Sequence, residues 1–190
     1  MKPIFSIWIK TRQTFKTLDE RGEKENNLTI NLLFFLASMS GGFSYTIDIF
    51  KTPGEYYYGL AIAMLACGFM GILLWRFVMS YLVLGIGKIF QGKASISEVR
   101  LVLAYSLITN IVLLISQLVL IIPAVILDNR ELIGYRHPVT LFILWVFALR
   151  FMVIGLSRFN KYSFLYAILN VFISAALLQG LAYGLKLLVF

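Results

Sequence analysis

The sequence is poor in the residues that build disulfides, metal sites and water-facing surfaces. Its 190 residues include one cysteine, Cys67, one histidine, His137, four prolines and only 14% charged residues. A single cysteine cannot form an intramolecular disulfide, which excludes a small disulfide-bonded domain. A soluble domain carries about 25% charged residues, so this chain cannot surround one water-facing core. The shortage of charge therefore predicts an integral membrane protein.

Hydrophobic residues take the place of the missing charge and make up 60% of the chain, which excludes intrinsic disorder. They form continuous runs, whereas the strands of a membrane barrel alternate polar and apolar residues over about ten positions. The predicted fold class is therefore all-α, a polytopic bundle of membrane-spanning helices. Five runs reach the length of about 20 residues that a spanning helix needs. These runs cover residues 28–47, 57–87, 101–127, 139–157 and 165–189.

Basic residues lie unequally on the two sides of the predicted bundle. Eleven Lys and Arg residues lie before the first span and in the linkers after the second and fourth spans, against four on the opposite side. The positive-inside rule then predicts a cytoplasmic N-terminus and an external C-terminus. Because the basic residues occupy short linkers rather than one soluble face, we expect no binding of nucleic acid.

Residues 1–27 are predicted to form a separate cytoplasmic segment that contains an interfacial amphipathic helix, while residues 28–190 form the five-span domain. The apolar side of this helix recurs at steps of three and four and consists of Ile4, Trp8, Thr11, Phe15 and Leu18. Such a helix lies in the head-group region with its apolar face toward lipid. Anchoring of the bundle is the favoured role, over docking of a partner.

Two arginines, Arg76 and Arg150, lie inside apolar runs, and no Asp or Glu lies inside any predicted span. A charge within the membrane is costly and marks a candidate functional site. Arg150 lies roughly 12 Å below the predicted cytoplasmic boundary, within partial reach of the head groups for a long side chain. Arg76 begins the last third of its run, and a tilt or bend of that long span moves it toward the head groups. Snorkelling is one interpretation, and a cationic site for an anionic lipid or solute is the other.

The third span carries a polar face, and Ser97 is predicted to cap the helix that leads into it. The polar face consists of Ser106, Thr109, Asn110, Ser116 and Gln117. It is the expected lining of a polar path if one exists, but hydrogen bonding between helices is the more common role of such residues. Asn170, Ser174 and Gln179 of the fifth span are the expected partners.

Small residues repeat every four positions in two spans. The second-span ladder consists of Gly59, Ala63, Cys67 and Gly71, and the fifth-span ladder consists of Ala176, Gly180 and Gly184. Consecutive small residues at this spacing favour close helix contact. The contact lies either within the bundle or between subunits, and the second case predicts a homo-oligomer.

The sequence offers no catalytic constellation. His137 stands beside Pro138 without a second metal ligand nearby, and Cys67 lies in an apolar helix. No span holds two carboxylates, and no nucleophile elbow or phosphate-binding glycine loop is present. We therefore expect no catalytic, metal or cofactor site and no enzymatic activity.

The linker after the second span carries a recognisable pattern, which reads LGIGKIFQGKASISEV from Leu84 to Val99 and continues to Ala104-Tyr105-Ser106. It resembles the bacterial branch of the Yip family of five-span membrane proteins, named for interaction with Ypt/Rab GTPases. The segment from Trp8 to Leu18 is similar to the family's N-terminal segment. The residues similar to the family's fourth-span ending are Trp145, Ile154-Gly155-Leu156 and Tyr162-Ser163.

This resemblance implies five spans, a cytoplasmic N-terminus, a place in the bacterial inner membrane and no catalytic residue. The expected function is that of a non-enzymatic protein that organises or interacts with membrane lipids or other membrane proteins. The alternative is a small transporter, channel or lipid-handling protein that uses the third-span polar face and the two arginines. A continuous polar cavity that reaches Asn110 and Arg150 favours transport, and a packed bundle favours interaction.

Overall fold

The computed structural model describes residues 3–43, 53–127, 129, 132 and 135–189, and the regular structure among them is helical. The helices are α1 (Pro3–Ser6), α2 (Thr11–Met39), α3 (Pro53–Leu73), α4 (Ser80–Ile89), α5 (Ile96–Ser106), α6 (Ile108–Ile126), α7 (Pro138–Asn160) and α8 (Phe164–Val189). A π-helical segment, Leu74–Met79, joins α3 to α4. The predicted all-α class is confirmed.

Four helical stretches are long and apolar enough to cross a membrane. They are Tyr57–Ile89, Ile96–Ile126, Pro138–Asn160 and Phe164–Leu181, and they correspond to the second to fifth predicted spans. The first predicted span, 28–47, extends beyond the described residues at 44–47. Residues 28–39 of this span belong to α2, and its crossing of the membrane stays a prediction.

Helix α2 is interrupted at Gly22, where φ is 76° and ψ is 172°, a conformation that residues with a Cβ rarely adopt. The predicted boundary after residue 27 falls inside α2 and stays a prediction. Asn26 is buried inside the helix, and its Nδ2 donates to the carbonyl oxygens of Leu18 at 2.7 Å and Gly22 at 2.9 Å. This amide bridges the interruption and joins the two halves of α2.

The first half of α2 packs into the bundle. Phe15 and Leu18 are fully buried, because they face the core that α2 forms with α5 and α7 at one end of the bundle. The Trp8 ring, just before α2, lies edge-on to Phe147 at 5.1 Å and Phe151 at 5.3 Å between centroids. The predicted lipid-facing orientation is wrong for Phe15 and Leu18, since protein covers them, while Trp8 is half-buried.

Helix α5 lies at the centre of this end of the bundle, and every residue from Leu101 to Ser106 is buried. Its N-cap is Ser95, so the predicted cap at Ser97 is wrong. The Ser95 Oγ accepts from the Glu98 backbone N–H at 3.3 Å, while the Glu98 carboxylate accepts from the Ser95 N–H at 2.6 Å. This reciprocal capping box fixes where the helix begins. A single residue, Leu107, separates α5 from α6.

Candidate functional site

Arg76 lies in the π-helical segment and is bound by the second half of α2. Its Nη1 donates to the Oδ1 of Asn27 at 2.7 Å and also to the Oδ1 of Asn31. The backbone carbonyl of Arg76 accepts from the Nε of Arg100 at 3.2 Å. Arg76 therefore links the second span to α2 through hydrogen bonds, because the two asparagine oxygens accept from its guanidinium.

Arg100 brings a second cation to the same place. Its guanidinium carbon lies 6.0 Å from the Phe77 ring centroid and 5.8 Å from that of Tyr81, within the range of cation–π attraction. A cleft of about 180 Å³ beside it, at the interruption of α2, is also lined by Asp19 and Glu98. Because both signs of charge line this cleft, it does not form a simple anion site.

Arg150 lies apart from Arg76. It is exposed, and its Nη1 lies 3.5 Å from the carbonyl oxygen of Trp8, in the segment that precedes α2. Among the described residues, the two arginines share no hydrogen-bond partner. The structure therefore does not bring them into one site.

The third-span polar face is largely enclosed. Ser106, Thr109 and Gln117 are at most 1% exposed. The hydroxyls of Ser106 and Thr109 donate to carbonyls three residues earlier, at 2.7 and 3.2 Å. The amide atoms of Gln117 have no hydrogen-bond partner among the described residues, and Ser116 lies at the surface. Burial encloses Ser106 and Gln117, whereas Thr109, although buried, also contributes to the lining of a cleft.

Asn110 lines a cleft of about 480 Å³ between α6 and α7, which is mostly apolar and includes Leu144 and Trp145. Arg136 lies at one end of this cleft, where its Nη2 donates to the Ser40 carbonyl at 3.2 Å. Arg150 does not line it. In the part of the chain that the structure describes, no cavity joins Asn110 to Arg150.

Asn170 bonds to α4 and to the turn before α8. Its Nδ2 donates to the Val83 carbonyl at 3.1 Å and to the Tyr162 hydroxyl at 3.0 Å, while its Oδ1 accepts from the Ser174 hydroxyl at 3.2 Å. Burial raises the pKa of Tyr162, and the hydrogen bond with Asn170 opposes part of that shift. The expected pairing of Asn170 and Ser174 with the third span is wrong, and Gln179 is exposed.

Asn160, which the sequence did not single out, ties the end of α7 to the linker after α4. Its Oδ1 accepts from the Ala94 N–H at 3.3 Å, and its carbonyl accepts from the Lys93 N–H at 3.2 Å. A Cβ on Gly92 would collide with the Asn160 Oδ1 and would lie 2.7 Å from the Gly87 carbonyl oxygen. The sequence shows the glycines of the linker, but it does not show that Asn160 packs against one of them.

The two small-residue ladders have different surroundings. In the second span, a Cβ on Gly71 would collide with the Ser38 hydroxyl of α2, and Cys67 lies 3.8 Å from a Cβ built on Gly41. Gly59 is buried and Ala63 half-buried, so this ladder lies along α2. In the fifth span, Ala176 and Gly180 are exposed. Added Cβ atoms on Gly180 and Gly184 would meet nothing within 4 Å.

The described residues contain no cluster of three His, Cys, Asp or Glu side chains able to hold a metal ion. No curated protein and no solved structure shows significant similarity to this chain. The family model described as the Yip1 domain matches residues 5–185. That range includes the glycine linker, Asn160 and all four apolar stretches. The four apolar stretches make this an integral membrane protein. On this match, the chain belongs to the Yip1 domain family.

Proposed function

We propose that this protein is a non-enzymatic Yip-type membrane protein that organises or interacts with membrane lipids or other membrane proteins. The burial of Ser106 and Gln117 carries the proposal. Side chains enclosed by neighbouring helices contribute to packing rather than to a water-filled path. A bundle without such a path acts through its surfaces and not by conducting a solute.

The proposed arrangement has five spans, with residues 28–47 as the first, and the N-terminus in the cytoplasm of a bacterium. Its support is the excess of basic residues on the N-terminal side. An alkaline phosphatase fused after Phe190 in bacteria should be active, because the C-terminus then lies outside. An inactive phosphatase fusion together with a fluorescent C-terminal green fluorescent protein fusion would reverse the orientation.

Within this proposal, Arg76 and Arg150 each contact anionic head groups separately. Arg150 is exposed and Arg76 is half-buried, and the long side chain of an arginine can extend toward the phosphate level of the bilayer. Their different partners, Asn27 and Asn31 for one and the Trp8 carbonyl for the other, argue for two contacts instead of one shared site.

The experiment that tests the proposed function identifies the lipids and proteins that co-purify with the chain in mild detergent. An unrelated membrane protein of similar size, purified in parallel, is the control. We expect anionic lipids and a reproducible set of membrane proteins to be enriched, and the double variant Arg76→Gln/Arg150→Gln to retain less anionic lipid. Equal composition in both preparations, together with solute leakage from vesicles that contain the protein, would contradict the proposal.

Lipid handling is the second candidate, and the cleft at Asn110 favours it. The apolar wall with Trp145 and the cation Arg136 at one end suit an amphiphile with an anionic head. A brominated or spin-labelled lipid that quenches Trp145 fluorescence more than bulk lipid does would support this role. Quenching equal to that caused by bulk lipid would contradict the lipid-handling role.

A further inference from the structure

A pocket of about 310 Å³ lies where the start of α2 meets the end of α7 and the start of α8. Its lining consists of Arg12, Ile154, Ser157, Arg158 and Phe164. Two of these residues are arginines and none is acidic. In the sequence they contribute only to the basic count of the cytoplasmic side, but the fold brings them together from positions 146 residues apart.

Arg158 provides the polar wall of this pocket, two residues before α7 ends. Its Nε is buried and has no hydrogen-bond partner among the described residues. A buried donor without a partner is costly, and no described carboxylate forms an ion pair with this guanidinium; the one ion pair within the described residues joins Lys16 to Glu20. The Nε and one Nη of arginine form a planar fork that matches two oxygens of a phosphate group.

Arg12 and Phe164 form the outer wall. The guanidinium carbon of Arg12 lies 5.6 Å from the Phe164 ring centroid, and this cation–π contact holds the second positive charge at the rim. The Phe164 ring is 45% exposed, and Ile154 is half-buried nearby. The pocket therefore combines two cations with apolar side chains, as the head and upper chain of a lipid require.

The turn that closes the pocket is held rigidly. Ser157 Oγ donates to the Tyr162 carbonyl at 2.8 Å, and Lys161 ends α7 in the left-handed conformation, with φ of 57°. Tyr162 is in turn bonded by Asn170 of α8. These contacts fix Arg158 relative to Phe164 before any ligand binds, which lowers the entropy cost of binding.

We propose that this pocket binds the phosphate group of an anionic phospholipid, with Arg158 as the bidentate donor and Arg12 as the second cation. The inference rests on the proposed function, since it takes this end of the bundle to lie in the cytoplasmic leaflet, where anionic lipids attract basic residues. Soluble phosphate shares the same chemistry. The apolar Ile154 and Phe164 favour the lipid as its source.

Native mass spectrometry of the full chain in detergent, with added phosphatidylglycerol or phosphatidylcholine, tests this site. Arg158→Gln and Arg12→Gln each remove one cation. Lys93→Gln is the matched control, because it removes the same charge from an exposed linker residue. We expect Arg158→Gln to weaken phosphatidylglycerol binding roughly tenfold, as loss of a charge-assisted fork implies. Arg12→Gln should weaken it less, and Lys93→Gln and phosphatidylcholine binding should show no change.

The variant Arg158→Lys keeps the charge but removes the fork, so an intermediate affinity supports bidentate binding. The lysine variant also tests the proposed binding site if a glutamine variant fails to fold, as judged by helical circular dichroism. Binding of phosphatidylglycerol by Arg158→Gln and Arg158→Lys at the wild-type level would overturn the proposal. Displacement of the lipid by inorganic phosphate, but not by chloride at equal ionic strength, would assign the pocket to a soluble phosphate and overturn the lipid source. The proposed function would instead be contradicted by passage of a solute through the protein, which this binding assay does not measure. The two proposals can therefore fail separately.

Discussion

Arg76 shows how residues distant in the sequence determine the surroundings of a single charged side chain. From the sequence it is an uncompensated cation in an apolar run, where the cost of burial favours a functional role. In the structure, Asn27 and Asn31 accept hydrogen bonds from it across 49 and 45 residues of chain. Sequence periodicity reports only on neighbours within a helix, so this pairing could not be predicted.

At the residue scale, Arg76→Gln should destabilise the protein, because a shorter neutral side chain cannot reach both asparagines. The expected loss is about 1 to 3 kcal/mol, the typical cost of removing a hydrogen bond that involves a charged group. Arg150→Gln is the control, since the Arg150 side chain is exposed. Thermal melts in detergent measure both, and equal melting temperatures for the two variants would show that the asparagine contacts contribute nothing.

Gly155 is the second prediction at this scale. A Cβ there would lie 2.7 Å from both Val102 methyl carbons and 3.0 Å from the Phe15 ring, so Gly155→Ala overpacks the core and should cost about 1 to 3 kcal/mol. Gly180→Ala is the matched control, because its Cβ would meet nothing within 4 Å. A melting temperature for Gly155→Ala at or above that of the control would contradict the close packing of α7.

At the element scale, the first half of α2 separates what periodicity predicts from what it leaves open. The spacing of Phe15 and Leu18 indicates an apolar helix face, and the helix is present. Periodicity does not tell whether lipid or protein covers that face, because both are apolar. The answer depends on Tyr105 and Phe159, whose rings lie 6.4 and 6.0 Å from the Phe15 ring.

Truncation of Phe15 tests this packing directly. Phe15→Ala should cost about 3 to 5 kcal/mol, as expected for a large aromatic side chain removed from a packed core. Phe5→Ala is the matched control, because Phe5 of α1 is 68% exposed. If thermal stability falls equally little in both variants, the segment lies on the membrane surface, as the sequence first indicated.

The two small-residue ladders should respond differently to a large side chain. Cys67→Leu should lower the thermal stability of the chain, because its ladder lies against α2. Gly180→Leu should leave the melting temperature unchanged and alter the oligomeric state instead, since its ladder is exposed within one chain. Light scattering in detergent measures the second effect. An unaltered oligomeric state for Gly180→Leu would show that the fifth-span ladder makes no subunit contact.

At the scale of the whole molecule, hydropathy predicted the class and four spans because each run meets the length requirement by itself. The contacts that organise the bundle were not predictable in this way. Asn160 reaches the linker at Ala94 from 66 residues away, and Asn170 reaches Val83 from 87. The linker that carries the family resemblance is visible in the sequence, but the fit of Gly92 against Asn160 required the fold.

The central claim, that Ser106 and Gln117 of the third span are packed and line no path, is tested most directly by cysteine accessibility. Single cysteines at Ser106 and Gln117, in a Cys67→Ser background, are exposed to a membrane-impermeant thiol reagent, with Tyr135→Cys as the exposed control. The account predicts labelling of the cysteine at position 135 and none at 106 or 117. Rapid labelling at 106 and 117 would contradict it, because water would then reach the interior of the bundle.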